Sequence, residues 1–150
     1  MKKLRVYVDT SVIGGCLDDE FALESRAFLQ LAHDGVITIL ISDITDKELQ
    51  RAPVNVRVEY NSLQTSNIEP LMSSYESEKL RDVYIKNGFV GQNQKDDAHH
   101  VAIATIADTD LIVSWNFKHL VHIEKIRGFN AVNIREGYKT VDIRSPEEVI

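Results

Sequence analysis

The sequence predicts an α/β fold, a three-layer α/β/α sandwich around a mostly parallel sheet of four or five strands. Short runs of β-branched and apolar residues alternate with segments whose apolar residues recur at helical spacing. The run over residues 36–41 is almost continuously hydrophobic, which is typical of a strand covered on both faces. The chain has 150 residues and no internal repeat or low-complexity tract. We therefore expect a single domain over residues 1–150.

The first strand is predicted over residues 4–8, and Asp9 closes it. The glycines at 14–15 weaken any helix that begins there, so we expect one helical turn, a break and then a second helix. Apolar residues within 23–32 recur every three or four positions and give this second helix a buried stripe. The Asp-Gly pair at 34–35 is predicted to end it.

The second strand is predicted over residues 36–41. Residues 42–43 supply a cap for a helix that runs to Arg51, before a proline stops it. Residues 55–63 predict another helix with a weaker pattern. Residues 69–71 are typical of a loop or a short edge strand.

The second half of the chain is predicted to continue the alternation. Residues 75–86 predict a helix, and residues 97–107 form the strongest helical segment, which is alanine-rich and amphipathic. Residues 111–114 predict the third strong strand. After that strand we expect a short helix to about residue 126, a last strand over 129–134 and a loosely held tail over 142–150.

Charge and cysteine content restrict the class of protein. The net charge of −6 argues against a general nucleic-acid coat, although acidic side chains gathered around cations are compatible with a nuclease. Cys16 is the only cysteine, so no internal disulfide can form, as is usual in a reducing compartment. The apolar run at the N-terminus is too short for a signal peptide or a membrane span. We therefore expect a cytoplasmic protein with no membrane partner.

Basic residues concentrate in the C-terminal third of the chain. This region offers either a positive flank for phosphates or an ordinary solvated surface. Its basic side chains are Lys118, Lys125, Arg127, Arg135 and Lys139.

Polar groups stand next to the predicted strands. In open parallel sheets, functional groups gather at the carboxyl ends of the strands, and Mg²⁺ prefers oxygen ligands. These groups are Asp9, Glu48, Asp97 and Asn116. Each also has a simpler interpretation: Asp9 can cap a helix, and Glu48 can be a solvated helix residue. Asp97 can be a favourable charge at a helix N-terminus, and Asn116 can close a turn.

Four segments together resemble the PIN-domain family, and the resemblance covers most of the chain. The third and fourth segments are the most specific as a pair. The segments are VYVDTSV at 6–12, DKEL at 46–49, DAHHVAIA at 97–104 and LIVSWNFKHL at 111–120.

The resemblance implies a Mg²⁺- or Mn²⁺-dependent endoribonuclease that cuts RNA, similar to the virulence-associated protein C toxins of toxin–antitoxin modules. It also implies a homodimer and a cognate antitoxin as partners. Hydrolysis by water, with no part for the ribose 2′-hydroxyl, is expected to leave 5′-phosphate and 3′-hydroxyl ends.

The resemblance also assigns roles to residues. Asp9, Glu48 and Asp97 are expected to bind the metal, and Asn116 to occupy the fourth catalytic position. We expect nearby hydroxyl side chains to contact and orient these groups, namely those of Thr10, Ser11 and Ser114. Many family members carry an aspartate at or near the fourth position, so Asn116 predicts one well-held metal and a second that arrives with substrate.

Other interpretations stay open. A phosphatase-like enzyme would use Asp9 as a nucleophile. Such enzymes usually carry a second acidic residue two positions later, where this chain has Ser11. A non-enzymatic scaffold would bind RNA or a protein without cutting. A zinc site at Asp96 and His100 lacks further ligands at matching spacing.

Trp115 can stack on a base or, as we favour, pack inside the protein. No phosphate-binding glycine loop or serine-hydrolase elbow occurs.

Overall fold

The computed structural model describes residues 2–63 and 67–150. Met1 and residues 64–66 of the predicted domain lie outside the described residues. The elements follow one another as β1 (Leu4–Val8), α1 (Thr10–Gly15), α2 (Ala22–His33), β2 (Ile37–Ser42), α3 (Asp43–Gln50), α4 (Val54–Leu63), β3 (Ile68–Leu71), α5 (Tyr75–Lys86), α6 (Lys95–Ile106), β4 (Leu111–Val113), α7 (Ile123–Arg135) and β5 (Ile143–Arg144). Short 3₁₀ turns lie at Gln92–Gln94 and Pro146–Glu148.

The five strands form one sheet in the order β3-β2-β1-β4-β5, and every pairing is parallel. β1 lies at the centre, where Tyr7 is in register with Leu40 of β2 and Ile112 of β4. After β1, the chain adds β2 and β3 on one side of it and then β4 and β5 on the other side. In open parallel sheets ligands bind at the carboxyl ends of the strands where such a reversal occurs, which here are the ends of β1 and β4.

The sheet separates two hydrophobic cores because successive strand side chains point to opposite faces. On one face, Val6 and Val8 of β1 pack with α1, α2 and α4. On the other face, Tyr7 packs with α5, α6 and α7. This is the predicted three-layer α/β/α sandwich, and the fold class is confirmed.

Most elements were predicted within one or two residues. The bounds of β1 and α5 agree with the prediction at both ends. The break after Gly15 and the short β3 edge strand are also present. Gly35 adopts φ +75° after α2, a conformation that glycine favours over residues with a Cβ.

The C-terminal prediction was wrong in three places. Residues 129–134, predicted as a strand, belong to α7, where Phe129 and Val132 lie three positions apart and both face the core. The helix predicted to end near residue 126 begins only at Ile123. The segment predicted as a loose tail contains β5, whose Ile143 is buried against β4.

Among the described residues, no helix combines the length and the apolar character that crossing a bilayer requires.

Candidate acidic site

Asp9 stands at the carboxyl end of β1, at the first turn of α1. Although it occupies the N-cap position, its side chain makes no capping hydrogen bond. Ser11 Oγ donates to one carboxylate oxygen at 2.6 Å, and Ser114 Oγ donates to the other at 2.7 Å. The two serines therefore fix the carboxylate from a short helix and from the end of β4. This arrangement disfavours the interpretation of Asp9 as a simple helix cap.

Burial makes the Asp9 carboxylate costly to ionise. The residue is only 5% exposed. Burial raises the pKa of Asp9, and nearby His100 and the two serine hydrogen bonds offset only part of that effect. A cation beside Asp9 would stabilise its ionised form.

Glu48 is held by a histidine that the fold brings from α6. His100 Nε2 lies 2.6 Å from Glu48 Oε1, and His100 Nδ1 lies 2.6 Å from the hydroxyl of Tyr7. Tyr7 in turn lies 2.7 Å from Ser42 Oγ. A protonated His100 would donate from both nitrogens, which leaves the Tyr7 hydroxyl free to donate to Ser42. The result is a buried chain of hydrogen bonds that ends on Glu48.

The charge of His100 follows from its surroundings. Burial lowers the pKa of His100, but Tyr7, Glu48 and Asp9 together outweigh burial and raise the pKa well above its ordinary value of 6.5. These contacts favour the protonated form of His100, which lies buried between acidic residues.

Asp97 lies in the first turn of α6, one helical turn before His100. Burial raises the pKa of Asp97, and Asp9 and Glu48 raise it further, whereas His100 lowers it. Glu48 likewise raises the pKa of Asp9. The three predicted carboxylates thus lie in one electrostatic neighbourhood, although they are far apart in the sequence.

The donor chemistry of this site suits a hard divalent cation. Its groups are carboxylate oxygens that repel one another. The buried hydroxyl of Thr10, the residue after Asp9, has no hydrogen-bond partner. Within residues 2–63 and 67–150, no set of three His, Cys, Asp or Glu side chains closes around one point as a ready metal site. Mg²⁺ usually binds one or two carboxylates and keeps several waters, so the residues present fit it.

Asn116 follows β4 and has a clear local contact. Its side-chain oxygen accepts a hydrogen bond from the backbone N–H of His119 at 2.9 Å, which closes the turn. Its own N–H donates to Ser114 Oγ, so Asn116 is tied to the serine that supports Asp9. A part for Asn116 in catalysis stays a prediction.

Trp115 packs inside the protein, which is the interpretation that we favoured from the sequence. Its ring stacks on Phe21 with centroids 4.2 Å apart, and its indole N–H donates to Ser25 Oγ. Only 7% of its surface is exposed.

Sequence reasoning missed two features of the site. It weighed His100 as a zinc ligand against a helix residue packed near the acidic groups, and it did not detect the contacts with Glu48 and Tyr7. It also sought basic residues in the C-terminal third, whereas Lys47 and Arg51 line a groove at Glu48. Their spacing of four positions, which places both on one face of α3, was the available signal.

Two solved structures share this fold. One is the crystal structure of VapBC2 from Rickettsia felis bound to a DNA fragment from its promoter, with TM-score 0.60 and 13% identity. The other is the crystal structure of FitAcB from Neisseria gonorrhoeae, with TM-score 0.57 and 18% identity. Each alignment covers 95% of this chain and 98% of the matched chain, so the matched chains are of similar length. No family model and no curated protein matches this chain.

These comparisons correct the family assignment that the motifs suggested. No model of the PIN-domain family matches the chain, and the structural neighbours are complexes whose descriptions name no PIN ribonuclease. At 13% and 18% identity they establish a shared fold and nothing further. The predicted assignment to the PIN-domain family is therefore wrong, and the evidence for function lies in the side chains of this chain.

Proposed function

We propose that this protein is a metal-dependent ribonuclease that hydrolyses phosphodiester bonds in RNA. The observation that carries the proposal is electrostatic proximity near the carboxyl edge of the sheet, where Glu48 raises the pKa of both Asp9 and Asp97. A buried Asp9 and a half-buried Asp97 with raised pKa values are unfavourable for the fold alone, and such groups cluster at functional sites.

The proposed roles follow from the contacts of each group. Asp9, Asp97 and Glu48 would hold Mg²⁺ or Mn²⁺, which supplies positive charge at a phosphate and lowers the pKa of bound water. Ser11 and Ser114 each donate to one oxygen of Asp9 and so fix the orientation of its carboxylate. His100 orients Glu48 through their hydrogen bond. We expect products with 5′-phosphate and 3′-hydroxyl ends, because attack by water requires no ribose hydroxyl.

We also propose that the chain acts as the nuclease member of a toxin–antitoxin pair, with a cognate antitoxin and a second copy of itself as partners. The likeness of its fold to chains of the VapBC2 and FitAcB complexes supports this part of the proposal. Co-expression with the product of a neighbouring small gene, followed by co-purification, tests it. Growth arrest by the chain alone and rescue by that partner are the expected result.

The ribonuclease proposal is tested by cleavage of 5′-labelled single-stranded RNA in Mg²⁺, in Mn²⁺ and in EDTA. We expect cleavage only with metal, and a loss of at least a hundredfold in Asp9→Asn and Asp97→Asn. Asp19→Asn removes an exposed carboxylate and serves as the charge-matched control. Undiminished cleavage in the two site variants, or cleavage in EDTA, would overturn the proposal.

A non-enzymatic scaffold is the second candidate. It is favoured by the hydrogen bond that occupies the Asn116 oxygen and by the lack, in the described part of the chain, of three ligands closed around one point. Such a protein would bind RNA without metal-dependent cleavage, and millimolar Mg²⁺ or Mn²⁺ would not raise its melting temperature.

A further inference from the structure

A groove of about 310 Å³ runs beside the acidic site, between α3 and the start of α6. Glu48 belongs both to this groove and to the acidic site, so the two are continuous. The groove is lined by Ile44, Lys47, Glu48, Arg51, Lys95 and Asp96.

Three of these side chains are basic and exposed. Lys47 and Arg51 lie one helical turn apart on the α3 side, and Lys95 faces them from α6. Among the described residues, the salt bridges of the molecule involve Arg5, Arg26, Arg81, His100 and Arg144, and none involves the three groove cations. Their charges are therefore available to a ligand.

The surroundings make this cluster distinctive. The chain carries a net charge of −6, and three cations gathered in one groove, which outnumber its two carboxylates, favour the binding of anions there. A single small anion needs only one or two cations, whereas three cations along a groove match the repeated charges of a sugar–phosphate backbone. The groove leads to the acidic site, so a strand lying in it would place a neighbouring phosphodiester there.

We propose that this groove binds the backbone phosphates of a single-stranded RNA next to the bond that is cut. The inference rests on the proposed ribonuclease function and adds the path of the substrate. Lys47, Arg51 and Lys95 contact phosphates, whereas Glu48 marks the end of the groove at which chemistry occurs. The bases lie outside these contacts, so the groove itself gives little sequence preference.

The test measures RNA binding without metal, so that it does not depend on cleavage. Fluorescence anisotropy of a labelled single-stranded RNA is recorded in EDTA at several salt concentrations. The groove variant is Lys47→Gln/Arg51→Gln/Lys95→Gln. The matched control is Lys118→Gln/Arg127→Gln/Lys139→Gln, which removes the same kinds of charge from the C-terminal basic region.

We expect the groove variant to bind at least tenfold more weakly at moderate salt, and the control to bind like the unaltered protein. The slope of log K against log salt should flatten by about 2, since each phosphate contact on a single strand contributes roughly 0.7. Lys47→Arg/Lys95→Arg should retain binding. Circular dichroism melting shows whether each variant is folded.

The outcomes separate this inference from the proposed function. Cleavage by the unaltered protein with equal RNA affinity in the groove variant overturns the groove alone. RNA binding that depends on the groove, without any metal-dependent cleavage, retains the groove and rejects the ribonuclease. Loss of binding in the control and not in the groove variant assigns the phosphate surface to the C-terminal region and overturns the inference, as does binding of an acidic peptide with no binding of RNA.

Discussion

His100 Nε2 lies 2.6 Å from Glu48 Oε1, although the two residues are 52 positions apart in the sequence. The same imidazole contacts Tyr7 on the central strand through its other nitrogen. Glu48, a proposed metal ligand, is thereby linked through His100 to the central strand of the sheet. This relationship leads to the first two predictions.

Replacing His100 with Gln should weaken Mn²⁺ binding by roughly 10–100-fold, because losing a residue that orients a metal ligand typically has an effect of this size. Isothermal titration measures the affinity. His99→Gln is the matched control, since His99 is an adjacent buried histidine that contacts Ser77 instead of an acidic residue. Equal affinities in the two variants would show that His100 has only a structural part.

Without metal, the protein should become less stable as the pH rises above about 6.5. The pKa of His100 is raised in the folded state, so its stabilising contribution is complete below its ordinary value of 6.5 and is lost as the pH rises through the folded value. The raised pKa values of Asp9 and Asp97 also lower stability as the pH rises, but their effect begins at the ordinary carboxyl value of 3.8. Melting temperatures in EDTA from pH 6 to 9 measure the trend.

Glu48→Gln provides the control for this pH dependence. It removes a carboxylate that keeps His100 protonated, so the fall in melting temperature between pH 6 and 9 should be smaller in this variant. A fall of the same size in both proteins would mean that the pair of residues 48 and 100 is not its source.

Cys16 should be unreactive in the folded protein. Burial raises the pKa of the Cys16 thiol to about 12, and only 1% of its surface is exposed. At pH 8 roughly one thiol in ten thousand would be ionised. Ellman's reagent should therefore react with no thiol in the native protein and with one in guanidinium chloride. Rapid reaction of the native protein would contradict the placement of this residue.

The C-terminal strand should contribute to stability in spite of its two-residue length. Ile143→Ala removes a buried side chain that packs beside Ile112 and should lower the free energy of unfolding by about 2–5 kcal/mol. Ile150→Ala, at a position that is 54% exposed, should change it by no more than about 0.5 kcal/mol. Guanidinium unfolding curves measure both. Equal effects would indicate that residues 142–150 are the loose tail that the sequence predicted.

The sequence predicted the elements that local pattern determines. β1 and α5 have strong periodicity and clear ends, and both match their predicted bounds. Residues 129–134 were assigned to the wrong class because a short apolar run is compatible with either a strand or a buried helix. β5 has only two residues and forms through its pairing with β4, a tertiary contact that leaves no local signal.

The residues of the candidate site likewise divide into those that the sequence pattern indicated and those that only the folded chain brings into contact. The rule that strand ends meet at one edge of a parallel sheet indicated Asp9, Glu48, Asp97 and Asn116, and the family resemblance then assigned the first three to a metal. The role of His100 depends on its contact with Tyr7, which lies 93 positions away, and no spacing in the sequence reveals that contact. That Asp9, Glu48 and Asp97 together hold a metal stays a prediction.

Mn²⁺ binding tests the central claim most directly, with free Mn²⁺ measured by electron paramagnetic resonance in the unaltered protein and in Asp9→Asn, Asp97→Asn and Asp19→Asn. We predict saturable binding to the unaltered protein and to Asp19→Asn, and at least tenfold weaker binding to the other two variants. No saturable binding to the unaltered protein, or the same affinity in all four proteins, would contradict the account.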